Sequence, residues 1–239
     1  MTYLPPGLSD RARAFLDEQA SGAINQGADV SLQDAGVSAG RSRDLEAVRQ
    51  LALCYRRDYE GRSFKVLGGP LEGTITLGCG PLPRLRESRE GVVMFRAARH
   101  REAQCDIVLS AEGEFGCSWT GEFHRLYSTI QAFIEDCAIW DDLRGWRVAA
   151  RVDGNYSRIM AAANVNFESA LDLGAAVGWR IGDDVAIGSH AYLNSARGSN
   201  MLASVVVSDA QVMQHMLSRL EAGAVEVPGD PWRAVHILS

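Results

Sequence analysis

The stretch CDIVLSAEGEFGCSWTGEFHRLYSTIQAFIEDC, residues 105–137, decides how the chain is read. Its first half alternates. Cys105, Ile107 and Leu109 share one side of an extended segment, and Phe115, Cys117 and Trp119 share one side of the next, because successive strand side chains point to opposite faces. Both sets need the same core. A two-residue turn at Glu112-Gly113 would throw them onto opposite faces. A three-residue loop, Ala111-Glu112-Gly113, instead pairs Ser110 with Glu114 and aligns Leu109 with Phe115, Ile107 with Cys117 and Cys105 with Trp119. Gly113 then takes the left-handed position such loops require. In this register Cys105 and Cys117 are diagonal neighbours at roughly 7–8 Å, too far for a disulfide without backbone movement, and core thiols are expected.

The second half changes period. Ser128-Thr129-Ile130-Gln131 has the form of a capping box, in which hydroxyl and amide each satisfy a free N–H at a helix start. Leu126, Ile130, Phe133, Ile134 and Cys137 then recur on one helical face, with Gln131, Glu135, Asp136 and Asp142 at positions that can stay wet. Hairpin and helix together require Leu109, Phe115, Trp119 and Phe133 to be shielded from water as a group. Between the Trp119 strand and the helix, residues 120–124 read as a loop carrying Glu122 and His124. Asp141 and Asp142 end the helix against its dipole, with Arg144 and Arg147 near enough to compensate.

Working outward, Leu8, Ala12, Phe15, Leu16 and Gln19 follow helical spacing after Pro5-Pro6-Gly7, with Ser9 or Asp10 as the cap. A glycine- and polar-rich stretch, 21–40, separates this helix from a second one striped by Leu45, Val48, Ala52, Tyr55 and Tyr59 and ended by Gly61. Short β-rich runs follow at 64–67, 74–77 and 91–97. Beyond the central stretch, Gly145 closes the first unit and a boundary is expected near Gly145-Trp146. The remainder reads as a strand at 147–152, a helical stretch over 156–177, strands at 185–193 and 202–207, a helix and a last strand. Ser208-Asp209-Ala210-Gln211 opens that helix as a second capping box, and Val212, Met213, Met216, Leu217 and Leu220 form its buried stripe. The fold class is α+β, antiparallel sheets covered by helices, in two units of 1–146 and 147–239; the order β-α-β-β-α-β makes the second a candidate ferredoxin-like unit.

Composition narrows the function classes. With 46% hydrophobic and 23% charged residues over 239 positions, the chain carries a packed core. A formal charge of −6 and a pI near 5.4 supply no field for phosphate backbones or anionic membranes, so the expected partner is another protein rather than nucleic acid or membrane. No stretch approaches the roughly 20 apolar residues of a membrane span, and residues 1–9 lack a basic start followed by an apolar run. Cys54, Cys79, Cys105, Cys117 and Cys137 are scattered without CxxC spacing, which suits reduced thiols of a cytoplasmic protein.

Chemistry-bearing motifs are sparse. The glycines at Gly68-Gly69, Gly78-Cys79-Gly80 and 182–188 lack both the phosphate-loop lysine and dinucleotide-fold spacing, so turns are expected and no cofactor. His100, His124, His190, His215 and His236 include no i, i+4 pair, so no metal site is expected. Asp183-Asp184 with His190 nearby is a candidate cation site, a solvated turn being the simpler reading. Cys79, on a tight turn, is a candidate nucleophile whose base cannot be named from sequence.

Two helices, a run of short antiparallel strands, a strand ending in Ala111-Glu112-Gly113, and Tyr127-Ser128-Thr129-Ile130-Gln131-Ala132-Phe133-Ile134 opening an amphipathic helix resemble the SUKH superfamily over residues 4–146. The tryptophan-rich signature of some members is absent near the start. The resemblance implies a non-enzymatic binding protein, commonly a bacterial immunity factor that neutralises a toxin by surface complementarity. A binder of basic toxin domains would place acidic loops, Glu122 and Asp141-Asp142, with His124 around an aromatic anchor, Trp119 or Trp140. Residues from Arg147 onward have no counterpart in that pattern. They keep open a second class, an enzyme with a small-molecule pocket between the two units and Cys79, His124, His190 and Tyr192 as candidate polar groups, and a third, an accessory or structural subunit.

Overall fold

The central hairpin has the register that alternation demands. In the computed structural model, which describes residues 7–19, 33–34, 42–78, 84–101, 105–153, 156–167, 169–174, 177–194 and 198–223, strands β6 (Asp106–Ser110) and β7 (Phe115–Trp119) pair Leu109 with Phe115 and Ile107 with Cys117. Gly113 closes the loop at φ +83°. Before them come α1 (Asp10–Gln19), β1 (Gln33–Asp34), α2 (Ser42–Tyr59), β2 (Ser63–Val66), β3 (Gly73–Leu77), β4 (Arg84–Glu87) and β5 (Val93–His100); after them come β8 (Glu122–Tyr127) and α3 (Ile130–Asp142). The sheet runs β1-β4-β5-β6-β7-β8, and β3, carrying β2, shares one edge of β5 with β4. Only the short β1–β4 pairing is parallel among the pairings of this sheet.

Register explains the core. Leu85, Phe95, Leu109, Phe115 and Tyr127 stand opposite one another in a row across five strands, all buried. Helices cover that row with aromatic side chains. Tyr55 of α2 meets Phe95 edge-on at 5.8 Å, and Phe133 of α3 stacks on Phe115 at 4.7 Å while meeting Tyr127 at 5.3 Å. Phe15 of α1 reaches Phe64 of β2 at 5.2 Å. Such pairs add about 0.5–1.5 kcal/mol each beyond the area they remove from water.

Helix starts depart by one residue from two of the expected boxes. Ser9 caps α1 as expected, its hydroxyl accepting from the Ala12 N–H at 3.1 Å. At α3, however, Thr129 rather than Ser128 accepts from the Ala132 N–H, at 3.1 Å. Asp136, placed by periodicity on a wet face, is fully buried, because the Tyr127 hydroxyl donates to it at 2.8 Å.

The chain divides into two compact units, Met1–Val66 with Leu71–Ile139, and Leu67–Pro70 with Trp140–Ser239. Helix α3 crosses the division, which therefore precedes the Gly145-Trp146 break read from sequence. In the second unit, β9 (Arg147–Asp153) and α4 (Tyr156–Ala163) lead into β10 (Ser169–Gly174), β11 (Val177–Ile181), β12 (Val185–Asn194), β13 (Gly198–Val207) and α5 (Ala210–Ala222). The expected helical stretch over 156–177 stops at Ala163, beyond which Asn164 turns left-handed at φ +46° and the chain becomes two strands. Sheet order is β10-β11-β12-β13-β9 with every pairing antiparallel. This up-and-down meander with β9 added beside β13 is not the ferredoxin-like arrangement; the expected last strand lies outside the described residues. Ile159, Ala163, Met216 and Leu220 of the helices bury against Val152, Ile187, Val205 and their neighbours. Asp209, not Ser208, caps α5 by accepting from the N–H groups of Gln211 and Val212 at 2.7 and 2.9 Å. No helix among the described residues is long and apolar enough to cross a membrane.

Candidate functional site

Residues 120–124, expected as a loop, form a turn and the start of β8. Trp119 pairs directly with Glu122, leaving Thr120 and Gly121 as a two-residue turn with φ of +52° and +85°. Hairpin turns of that length favour positive φ at both central positions. Glycine adopts it freely, whereas a β-branched threonine there costs on the order of 1–2 kcal/mol. The strained turn ends the β7–β8 ladder directly after Trp119, whereas Phe133 covers Phe115 at the other end of β7. Trp119 is consequently 38% exposed, and with Leu53 at 41% it makes up the exposed large hydrophobic side chains among the described residues. This corrects the expectation that Trp119 is shielded together with Leu109, Phe115 and Phe133.

Polar groups cluster at this turn. The Arg89 N–H donates to the Gly121 carbonyl at 3.0 Å, and its guanidinium lies 3.6 Å from the Glu122 carboxylate. His124 Nε2 is 4.0 Å from the other Glu122 oxygen. A hydrogen bond from the Ser88 hydroxyl, 2.9 Å, does most to hold the Glu90 carboxyl below the usual carboxylate range, helped by the Phe123 backbone and by His124. Because β8 is the terminal strand in the sheet order, the tip and its edge form a single surface carrying Trp119, Glu122 and His124. A bulge shapes the strand: pairing shifts between Phe115 and Gly116, leaving Leu126 as the extra residue. At Gly116 a Cβ would stand 2.2 Å from the His124 carbonyl oxygen, so only glycine lets β8 approach this closely.

Of the other sequence-predicted residues, Trp140 and His190 are buried. Trp140, expected as an alternative anchor, is fully buried in the second unit, edge-on to Trp179 at 4.9 Å and stacked on His190 at 5.8 Å. Its Nε1 has no hydrogen-bond partner among the described residues, an arrangement that costs about 1–3 kcal/mol. Trp140 continues the stripe of Phe133 and Cys137, and that spacing was the signal for burial. Asp141 is ion-paired with Arg144, the local compensation expected for a helix C-terminus, and Asp142 is exposed. His190 is buried between the two indoles and so does not line an open pocket. Cys79 lies outside the described residues, as does the side chain of Tyr192 on β12.

Among the described residues, an open cleft lies in each unit. In the first, about 430 Å³ beside the hairpin tip is lined by Arg86, Cys105, Asp106, Ser118 and Thr120 among others. Burial raises the Asp106 carboxyl, but hydrogen bonds and charge from Arg96 and Arg86 outweigh it and hold the group below its usual value. Cys105 is half-buried on this cleft and not a core thiol, since β6 begins one residue later. In the second unit, about 440 Å³ lies against Asp183, Asp184, Asp209 and His215. There Asp209 is occupied as a helix cap and Asp184 accepts from the Ser208 hydroxyl at 3.0 Å. No group of three or more metal-ligating side chains converges among the described residues, and the buried His190 is not part of this cleft.

No family model, curated protein or solved structure matches the chain.

Proposed function

We propose that the chain is a protein-binding module whose first unit docks a partner protein through the β7–β8 hairpin tip, with Trp119 as the anchor and Glu122 and His124 as its polar rim. The observation that carries this reading is the 38% exposure of Trp119 at the end of β7, beside a turn held in strained backbone geometry. An isolated exposed apolar residue is ordinary; a tryptophan held on rigid strand ends beside charged groups is the composition of a binding hot spot. The net charge of −6 favours a basic partner through long-range steering. In keeping with the SUKH resemblance, the role proposed is that of an immunity-type protein neutralising a basic toxin domain.

The test is affinity capture from producing cells with the wild-type chain and with Trp119→Ala as baits. The reading expects a protein partner that wild type retains, that Trp119→Ala loses, and whose retention weakens with added salt. Absence of any protein partner, or equal retention by both baits, overturns it.

A further inference from the structure

The cleft beside the hairpin tip is lined by Cys105, one of a pair of thiols to which partner binding assigns no role. Cys105 sits on the bend before β6, half-buried, and lines the cleft with Arg86, Asp106 and Ser118. Cys117 is buried behind it on β7, opposite Ile107, which places the two cysteines diagonally across the ladder. Both thiols are free. Their mutual interaction is the largest influence on Cys105 and brings its thiol down to about 7 against the opposing effect of burial. The same interaction, with burial, pushes the Cys117 thiol up. The two sulfurs are thereby differentiated into a nucleophile reachable from the cleft and a protonated thiol behind it. The Asp106 charge, which opposes ionisation of its neighbour, is engaged by Arg86 at 2.5 Å and by Arg96.

We propose that Cys105 and Cys117 are a peroxide-reactive pair that closes to a disulfide across the β6–β7 hairpin. The Cys105 thiolate attacks the hydroxyl oxygen of a hydroperoxide. The O–O bond breaks, sulfur keeps that oxygen as a sulfenic acid, and the second oxygen leaves with its electron pair and takes a proton from water. The Cys117 sulfur then displaces hydroxide from Cys105; the S–S bond forms as the S–O bond breaks, and hydroxide leaves as water with the Cys117 proton. Each thiol gives up one electron and the peroxide accepts two. Diagonal residues start roughly 7–8 Å apart, and a disulfide needs Cα atoms within about 6.8 Å. Cys105 precedes the first ladder pair, Asp106 with Ser118, so it can be drawn inward without breaking that pair.

The experiment treats the full chain at neutral pH with one equivalent of hydrogen peroxide, blocks remaining thiols and maps peptides without reduction. A Cys105–Cys117 disulfide is expected, with Cys105 reacting about tenfold faster than a cysteine in an unstructured peptide, the ratio set by its larger thiolate fraction. Cys117→Ser should arrest the reaction at a Cys105 sulfenic acid trapped by dimedone; circular dichroism checks that this variant folds, and the wild-type map decides the matter if it does not. Oxidation that spares Cys105 and falls first on the exposed Cys54, a disulfide joining any other pair, or a Cys105 rate equal to the peptide's overturns the proposal.

Discussion

The Tyr127 hydroxyl donates to the Asp136 carboxyl at 2.8 Å, with both side chains buried. The bond ties the last strand of the first sheet to the helix that covers it, so the strand edge bearing the candidate surface is fixed from beneath. A buried acidic group tolerates that position only while its oxygens are satisfied.

Removing the donor exposes this dependence. Tyr127→Phe should lower stability by about 1–3 kcal/mol, read from urea unfolding, because the ring remains while the carboxyl loses a partner. Burial first, then the Asp136 charge, raises the phenol well above its ordinary 10.0. The folded protein keeps a proton that the unfolded chain gives up. The stability this supplies is therefore complete below the ordinary 10.0 and is lost as pH rises from there toward the native value. The alkaline decline of wild type should be steeper than that of Tyr127→Phe.

Two glycines of the central hairpins should respond differently to alanine. Gly113 has φ +83° and nothing lies within 4 Å of the place an added methyl would take, so Gly113→Ala meets only backbone strain, about 1–2 kcal/mol. Gly116→Ala drives a methyl to 2.2 Å from the His124 backbone oxygen, which cannot rotate away. The β7–β8 ladder must part, and a loss of roughly 3 kcal/mol or more is expected. Thermal unfolding of the two variants side by side gives the ordering.

In the second unit, Gly188→Ala places a methyl 2.9 Å from the Trp179 ring and from His190 Cε1. Overpacking at such a site costs about 1–3 kcal/mol. The near-ultraviolet circular dichroism of the buried Trp140 and Trp179 should weaken while the far-ultraviolet signal persists. An unchanged aromatic signal would mean that the indole pair is not packed as described.

The hairpin register was legible because period-two alternation and Gly113 both constrain it, α1 because cap and stripe agree, and α2 because its stripe runs up to Gly61. Strand β4 was not, since three of the four residues in Arg84–Glu87 are charged and only tertiary pairing with β5 makes them extended. Strand β8 mixes Glu122, His124 and Arg125 with Phe123 and Leu126, and its bulge interrupts the alternation that would have revealed it. Adjacent capping residues compete, which is why Thr129 and Asp209 displaced the serines before them. At the candidate site, sequence singled out Trp119, Glu122 and His124 from their types, but the exposure of Trp119 depends on where the sheet ends. Trp140 shows the opposite case: its helical stripe carries it into the core, although Asp141 and Asp142 follow it directly.

The most direct measurement is the dissociation constant of the captured partner for wild type and for Trp119→Ala, alongside their unfolding midpoints. Docking through the hairpin tip predicts affinity weakened by about 30-fold or more, the equivalent of roughly 2 kcal/mol for an anchor residue, with stability within about 0.5 kcal/mol of wild type. An affinity unchanged by the substitution would contradict it.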